Sequence, residues 1–351
     1  MAQRYGDRWE VVSHLVPGGQ AETFRVRDLK EGLQVAPKYV LKRLRNPERH
    51  ARFRQEIEIL LSLQLPGVVQ IVDHQLEKDP FYLVTKYHER GSLEGHAERW
   101  KGDPTRALEF VVRLCDTLRQ VHGAGVIHRD IKPANILLSD DSDSPVIADF
   151  GIAFVAGGQR MTLTDEAVGA KSFIAPELEG GRTDQVGPGA DIYSIGKLYY
   201  WLVAGGSVYP REHHRGERHD LTRQYAADDR FEHVNMLLDR LVTEDPNQRP
   251  PDLANAISIM RGTLDDMNRN SRVLKSAIPQ RCAFCRAGSY QSIRTSRSGD
   301  IHNFGFARVG DAKWNLLVCN RCGNVQLFRM DFVEAGTWWG PDGVVPPVKG
   351  T

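Results

Sequence analysis

The sequence lacks the marks of a membrane protein, of a secreted protein and of a protein with a strong excess of one charge. No apolar run approaches the roughly 20 residues that span a bilayer, and the opening stretch MAQRYGDRWEVV has no apolar core of a signal peptide. The 46 Lys and Arg residues nearly balance the 45 Asp and Glu residues, so the chain has no overall field that attracts nucleic acid or a membrane. We therefore expect a cytoplasmic globular protein with no membrane partner.

Cysteine is also scarce, and four of the five cysteines form two close pairs. Because no export signal is present, disulfides are not expected. The pairs, Cys282 with Cys285 and Cys319 with Cys322, follow the spacing C-x2-C-x33-C-x2-C, which suits four thiolates around a tetrahedral Zn²⁺ ion. A redox-active CxxC is the alternative, but no thioredoxin-like βαβ pattern surrounds either pair. The fifth, Cys115, lies on the apolar face of a predicted helix and is expected to be a buried thiol.

The pattern of apolar residues divides the chain into a strand-rich part followed by a helical part. Short runs such as WEVVSHL, TFRVRDL and PFYLVTKY indicate strands, whereas PTRALEFVVRLCDTLRQVHGAG and ADIYSIGKLYYWLVAGG indicate long helices. Strand-forming runs return around the cysteine pairs. We predict a domain at 9–262 with an N-lobe at about 9–85 and a C-lobe at about 86–262, a linker at 263–279, a metal-binding domain at 280–335 and an irregular tail at 336–351.

The stretch VIHRDIKPANILL at 126–138, together with the later VIADFG, contains the groups that phosphoryl transfer requires. The carboxylate of Asp130 can accept the proton of an attacking hydroxyl, and Lys132 can neutralise charge on the transferred group. The amide oxygen of Asn135 and the carboxylate of Asp149 can hold Mg²⁺ on the phosphates. This set of side chains predicts a phosphoryl-transfer site.

The motifs HRDIKPAN, DFG and APE, in this order, resemble those of a eukaryotic-type (Hanks-type) Ser/Thr protein kinase over roughly residues 9–262. The resemblance implies an α+β, bilobal fold with a β-rich N-lobe and a helical C-lobe. It also implies ATP and Mg²⁺ as cofactors, and protein substrates that include the protein itself. By the same resemblance Asp130 is the catalytic base, Lys132 contacts the γ-phosphate, and Asn135 and Asp149 bind Mg²⁺. The Lys-Pro pair at 132–133 favours serine or threonine acceptors.

The resemblance also predicts which residues surround ATP. Lys42 in YVLK matches the lysine that pairs with the α- and β-phosphates. Glu56 matches the helix glutamate that pairs with that lysine, and Glu58 is the alternative candidate. In LVTKYHE, Thr85 takes the gatekeeper position, and backbone groups from Lys86 to His88 are expected to bind adenine.

The stretch VPGGQAETFRVRD, Val16 to Asp28, departs from the glycine-rich kinase pattern G-x-G-x-x-G-x-V. Gly18 fills the middle glycine position and is followed by Gly19, while Val16 and Ala21 replace the first and third glycines. Residues with a Cβ atom have less backbone freedom than glycine. We therefore predict a stiff lid over the phosphates, with weaker or slower ATP handling than a full-glycine loop.

Further residues are expected to support or regulate the site. The resemblance pairs Glu177 with Arg249 and places Asp191 against the catalytic loop, and it makes His128 and Phe150 packing residues.

Arg129 precedes the catalytic base, and kinases with this arginine often neutralise it with a phosphorylated loop. We predict phosphorylation of Thr162, Thr164 or both. Ala170 replaces a threonine whose hydroxyl normally bonds the catalytic Asp and Lys, so turnover is expected to be reduced. A pseudokinase-like scaffold is the alternative to an active enzyme.

The segments around the cysteine pairs, among them CNRCGNVQLF, resemble a zinc ribbon, in which β-hairpins hold the metal. We favour protein docking or regulation as the role of this ribbon. Nucleic-acid binding is the weaker alternative, based on the arginines between Arg281 and Arg329. The run HHRGERHD at 213–220 is interpreted as a solvated polar loop.

Overall fold

The computed structural model describes residues 3–15, 21–32, 36–150, 172–179 and 186–268, and, towards the C-terminus, residues 282, 284, 285, 287, 290–293 and 314–329. The chain divides into two compact units. The first comprises Met1–Asp220 and Leu237–Arg261, and the second comprises Leu221–Met236 and Gly262–Thr351.

The N-terminal part of the first unit is an antiparallel sheet of six strands in the order β1-β2-β3-β4-β6-β5. The strands are β1 (Arg4–Tyr5), β2 (Trp9–His14), β3 (Ala21–Asp28), β4 (Tyr39–Leu44), β5 (Ile71–Gln75) and β6 (Tyr82–Lys86). The sheet is curled, so that strands far apart in this order come close together. Trp9 Nε1 on β2, the second strand, donates a hydrogen bond of 2.6 Å to Asp73 Oδ2 on β5, the last strand. The indole of Trp9 is fully buried inside the curl with Phe24 and Val84.

Helix α1 (His50–Ser62) packs against this sheet because its apolar residues recur at helical spacing. Phe53 and Ile57 are buried in one cluster with Leu44 and Leu83 of the sheet. The short helical turn before α1 begins after Asn46, whose side chain accepts a hydrogen bond from the Glu48 N–H. This packing holds Glu56, which lies one turn after Phe53 on the same side of α1, at a constant position relative to β4.

The C-terminal part of the first unit is mostly helical, which confirms the predicted α+β kinase fold. The helices are α2 (Pro104–Gly123), α3 (Pro176–Glu179), α4 (Gly189–Val203), α5 (Leu221–Gln224), α6 (Arg230–Leu241) and α7 (Leu253–Asn268); α5, most of α6 and the end of α7 fall in the second unit. A two-stranded ladder of β7 (Ile136–Leu138) and β8 (Pro145–Ile147) follows the HRDIKPAN stretch at 128–135. Cys115 on α2 is fully buried, as predicted.

Helix α7 ends at Asn268, inside the stretch 263–279 that we predicted to be a linker. One feature differs from what the sequence suggested. The interpretation of residues 213–220 as a solvated loop is wrong for His214, which is 3% exposed. Its Nε2 lies 3.0 Å from Asp239 Oδ1, so a partner 25 residues away makes this histidine part of the core.

The cysteine-containing part of the second unit contains a three-stranded antiparallel sheet in the order β11-β10-β9. The strands are β9 (Tyr290–Ile293), β10 (Trp314–Cys319) and β11 (Val325–Arg329). The turn between β10 and β11 is closed by hydrogen bonds from Cys319 N to Asn324 O (2.9 Å) and from Gly323 N to Cys319 O (3.0 Å). Gly323 has a φ of 72°, a conformation that favours glycine. A β-hairpin thus presents the second cysteine pair.

Candidate active site and metal centre

Lys42 lies at the centre of a three-residue charge cluster in the cleft. Its Nζ atom is 3.3 Å from Glu56 Oε1 on α1 and 2.6 Å from Asp149 Oδ1. Lys42 is held on β4, which pairs with both β3 and β6, so its backbone position is strongly constrained. The structure places Glu56 beside this lysine, whereas Glu58 is exposed on the other side of the helix.

Burial and mutual attraction set the charges of this cluster. Burial by itself disfavours the ammonium form of Lys42, but the neighbouring Asp149 and Glu56 carboxylates outweigh it and raise its pKa. The attraction of Lys42 is the main cause that lowers the pKa of Asp149. Burial raises the pKa of Glu56, and Lys42 opposes that rise. At neutral pH the cluster therefore contains a cationic Lys42 and an anionic Asp149.

Asp130, Lys132 and Asn135 meet through short hydrogen bonds within one local turn. Lys132 Nζ is 2.9 Å from Asp130 Oδ2, and Asn135 Nδ2 is 2.8 Å from the same oxygen. Asn135 Nδ2 also donates to the backbone carbonyl of Asp130 at 2.8 Å. A short helical turn, Pro133–Asn135, brings Asn135 back towards Asp130. Because its amide nitrogen is used in these bonds, the amide oxygen of Asn135 is the atom suited to a cation.

Asp191 at the start of α4 holds the backbone of the catalytic motif. Its side chain is fully buried and accepts hydrogen bonds from the N–H groups of His128 (2.9 Å) and Arg129 (2.8 Å). His122 Nε2 lies 2.7 Å from the same carboxylate. Burial alone would raise the pKa of Asp191, but these hydrogen bonds and charges lower it overall. Arg129 has a φ of 66°, and the bonds to Asp191 hold it in this unfavourable conformation.

His128 and Phe150 pack against each other, with ring centroids 4.6 Å apart. His128 Nε2 lies 3.1 Å from the Ala148 carbonyl, and burial lowers the pKa of the imidazole. A neutral, buried ring of this kind suits packing, which is the role predicted for it.

Arg249 and Glu177 form a bidentate ion pair in the helical part. The two guanidinium nitrogens lie 2.6 and 2.9 Å from the two Glu177 oxygens, and the Arg249 side chain is fully buried. Arg249 also donates to the backbone carbonyls of Thr243, Gly189 and Glu244. These bonds join the segment before α4 to the segment before α7.

The cluster around Lys42 and the turn around Asp130 line one cleft of about 590 Å³. Thr85, which is 8% exposed, and residues 86–88 line the cleft where β6 ends. Apolar walls are formed by Val40 and Leu137. The cleft thus has an apolar region beside the backbone of residues 86–88, and a polar region with carboxylates and amines. Such a division suits a purine base at one end and phosphates at the other.

Several predicted residues lie outside the described part of the chain. They are the loop residues Val16, Gly18 and Gly19, the activation-loop threonines Thr162 and Thr164, and Ala170. Ala21, which begins β3, is described and lines the cleft.

Sequence reasoning missed the residues that hold the segment after β6. Asp140, in the β7–β8 turn, accepts the Glu89 N–H at 2.8 Å and pairs with Lys86 at 3.2 Å. From the sheet side, Arg25 pairs with Glu89 and lies 4.2 Å above the Tyr87 ring. Asp140 is 51 residues from Glu89, and the acidic run around it reads as an ordinary exposed turn. No local signal in the sequence could have identified it.

The four paired cysteines form one cluster, with all four sulfur atoms within 4.8 Å of one another. Cys282 Sγ lies 3.7 Å from Cys322 Sγ, and Cys285 Sγ lies 3.7 Å from Cys319 Sγ. Four sulfurs placed about 2.3 Å from a tetrahedral zinc ion lie about 3.8 Å from each other, so the donor set fits Zn²⁺. A disulfide would require about 2.05 Å. The short contacts join the first pair to the second, which favours one metal site over two redox pairs.

The sequence profile of the protein kinase domain matches residues 9–260. Together with the curled sheet, the helical part and the cleft geometry, this match shows that the chain belongs to the protein kinase family. In the described part of the chain, no helix has the length and apolar character needed to cross a membrane.

Curated relatives include bacterial proteins named as serine/threonine kinases. The chain is 36% identical over 210 residues to "Probable serine/threonine-protein kinase SCO3848" of Streptomyces coelicolor, covering 57% of this chain and 31% of the relative. It is 33% identical over 208 residues to "Serine/threonine-protein kinase PknB" of Mycobacterium tuberculosis, covering 57% and 33%. The PknB of Mycobacterium leprae is 32% identical over 207 residues, with the same coverage. The matched region spans about a third of the length of these relatives.

Proposed function

We propose that this protein is an ATP- and Mg²⁺-dependent Ser/Thr protein kinase. The observation that carries the proposal is the convergence of Lys42, Glu56 and Asp149, at 2.6 and 3.3 Å, in the same cleft as Asp130, Lys132 and Asn135. Family membership and the printed names of the relatives support the same activity.

The residues of the cleft suggest how transfer proceeds. Lys42, held by Glu56, binds the α- and β-phosphates of ATP. A serine or threonine hydroxyl attacks the γ-phosphorus, its proton passes to Asp130, and ADP leaves. Lys132 neutralises the charge that develops on the transferred group. Asn135 and Asp149 would hold Mg²⁺, which supplies Lewis-acid charge stabilisation when bound.

The alternative, a pseudokinase-like scaffold, is disfavoured because Lys42, Asp130, Asn135 and Asp149 are all present and positioned together. Incubation with γ-labelled ATP, Mg²⁺ and a generic protein substrate tests the two. We expect label on serine or threonine. A protein that binds ATP but transfers no label under any metal condition would be a scaffold instead.

We further propose that the kinase phosphorylates its own activation loop at Thr162, Thr164 or both. The Nε atom of Arg129 is buried and has no hydrogen-bond partner among the described residues, and a phosphate is a suitable acceptor for an arginine in this position. Protein produced alone in a bacterial host is expected to carry phosphate on this loop by intact-mass and peptide analysis. The same protein with Asp130→Asn should carry none. A fully active enzyme with both threonines unmodified would contradict this proposal.

The cysteine cluster is proposed to bind one Zn²⁺ ion that stabilises the ribbon, since a structural zinc site contributes directly to folding. We expect about one zinc per chain by elemental analysis, and loss of most of it in Cys282→Ser. Cys115→Ala is the matched control, because it removes a thiol outside the cluster, and it should keep its zinc. Equal zinc in Cys282→Ser and the control would contradict the assignment. The role of the ribbon in docking or regulation stays a prediction.

A further inference from the structure

The cysteine-containing segment differs sharply in charge from the rest of the chain. Residues 281–329 contain eight Lys and Arg residues and only two Asp residues. The whole chain has a net charge of +1, so the remaining residues carry an excess of five negative charges. A Zn²⁺ ion with four thiolates reduces the positive excess of the segment from six to four, and leaves it clearly basic. A segregated positive charge of this kind favours an anionic partner.

The first metal-binding turn exposes an aromatic side chain. Phe284, between Cys282 and Cys285, is 78% exposed, whereas the next most exposed large apolar residue in the described part of the chain, Val12, is 44% exposed. An aromatic ring so exposed offers a face on which a planar group can stack. Because Phe284 directly precedes Cys285, a member of the four-cysteine cluster, its backbone lies beside that cluster.

The second metal-binding turn exposes a basic residue at the equivalent position. Arg321 is the third residue of CNRC, as Phe284 is the third residue of CAFC. Residues 320–323 are all exposed, and the Arg321 N–H lies 3.4 Å from Cys319 Sγ, which holds the turn against the cluster. An exposed phenylalanine and an exposed arginine are therefore placed on the two turns that carry the four-cysteine cluster.

We propose that these two turns form a binding site for single-stranded nucleic acid, in which an unpaired base stacks on Phe284 and Arg321 contacts the phosphate backbone. Stacking on an aromatic ring together with a basic surface is the common basis of single-strand binding. A base inside a duplex cannot present its face to such a ring, which disfavours double-stranded partners. An acidic protein is disfavoured because a stable protein interface needs a larger apolar centre than one phenylalanine. From the sequence alone we favoured protein docking as the role of the ribbon. The exposure of Phe284 leads us to favour nucleic-acid binding instead.

The test uses the full-length, zinc-loaded protein and a fluorescent single-stranded oligonucleotide of about 15 nucleotides, long enough for one site. Anisotropy titrations across a salt series give the Kd and its salt dependence. We expect Phe284→Ala and Arg321→Ala each to weaken binding, the first by roughly tenfold. Arg321→Ala should also reduce the slope of log Kd against log salt by about 0.7. Leu61→Ala and Arg240→Ala, which remove an exposed leucine and an exposed arginine of the first unit, serve as matched controls and should change Kd less than twofold.

Three results would overturn the proposal. One is an absence of binding at low salt; another is an unchanged Kd in Phe284→Ala. The third is equally tight binding of a duplex of the same sequence or of polyglutamate, which would indicate a general polyanion site or an acidic protein partner. Zinc content and kinase activity, measured on the same variants, show whether each remains folded. If the wild-type protein showed no kinase activity, that result would contradict the proposed enzyme activity but would not bear on the nucleic-acid site.

Discussion

Replacing Asp130 with asparagine is expected to lower the rate of phosphoryl transfer about 10²- to 10⁴-fold, the usual contribution of a general base. Asparagine has nearly the same shape as aspartate but cannot accept the hydroxyl proton. The residues proposed to bind ATP, Lys42 and Glu56, form an ion-pair cluster with Asp149, so the KM for ATP should change little. Transfer of label from γ-labelled ATP, with kcat and KM determined separately, measures both effects.

Asp116→Asn is the matched control for this experiment. Asp116 lies on α2 and pairs at 3.0 Å with Arg261 at an exposed position, where ion pairs contribute little. This variant should keep wild-type transfer. Equal label incorporation in Asp130→Asn and the wild type would show that Asp130 is not the base, and the assignment of the whole turn would fail with it.

Replacing Arg249 with methionine is expected to lower the free energy of unfolding by about 3–5 kcal/mol, the usual effect of removing one partner of a buried ion pair. Glu177 would lose both of its short bonds, and the carbonyls of Thr243, Gly189 and Glu244 would each lose a donor. Methionine keeps much of the side-chain volume, so the loss reports mainly the polar contacts. Urea unfolding at constant pH measures the difference.

Arg261→Met provides the comparison, because Arg261 pairs with Asp116 at a surface where its side chain is 60% exposed. We expect that variant to lose less than about 1 kcal/mol. Adding Glu177→Leu to Arg249→Met should restore part of the stability, since it removes the uncompensated carboxylate. Similar losses in Arg249→Met and Arg261→Met would mean that the buried pair does not stabilise the fold in the way its geometry indicates.

The turn around Asp130 could be predicted from the sequence because its contacts are local. Asp130 and Asn135 are five residues apart, and the intervening proline fixes the backbone angle that starts the helical turn. Contacts between residues that are close in sequence can be predicted from a short motif. The cysteine pairs were predictable for the same reason, because each CxxC forms a turn that presents two thiols together.

The contact of Lys42 with Asp149 is different, because 107 residues separate the two. Lys42 looks like an ordinary strand lysine, and only the resemblance to kinases assigned it and Asp149 to the same ATP site. Two other long-range contacts had no such support and were not predicted. They are the hydrogen bond from the Glu89 N–H to Asp140 and the contact of the buried His214 with Asp239. A polar residue in a loop is interpreted as solvated unless its distant partner is known.

By itself, the sequence indicated the protein kinase family, the α+β class, the turn that contains Asp130 and Asn135, and two CxxC pairs suited to one metal ion, because each depends on residue type and short spacing. Only the tertiary structure decided that Glu56 and not Glu58 faces Lys42. The same holds for the hydrogen bond between Trp9 and Asp73 across the curled sheet, and for the exposure of Phe284. These features depend on which surfaces become buried when distant segments pack. Burial is a property of the folded chain as a whole, and no short stretch of sequence determines it.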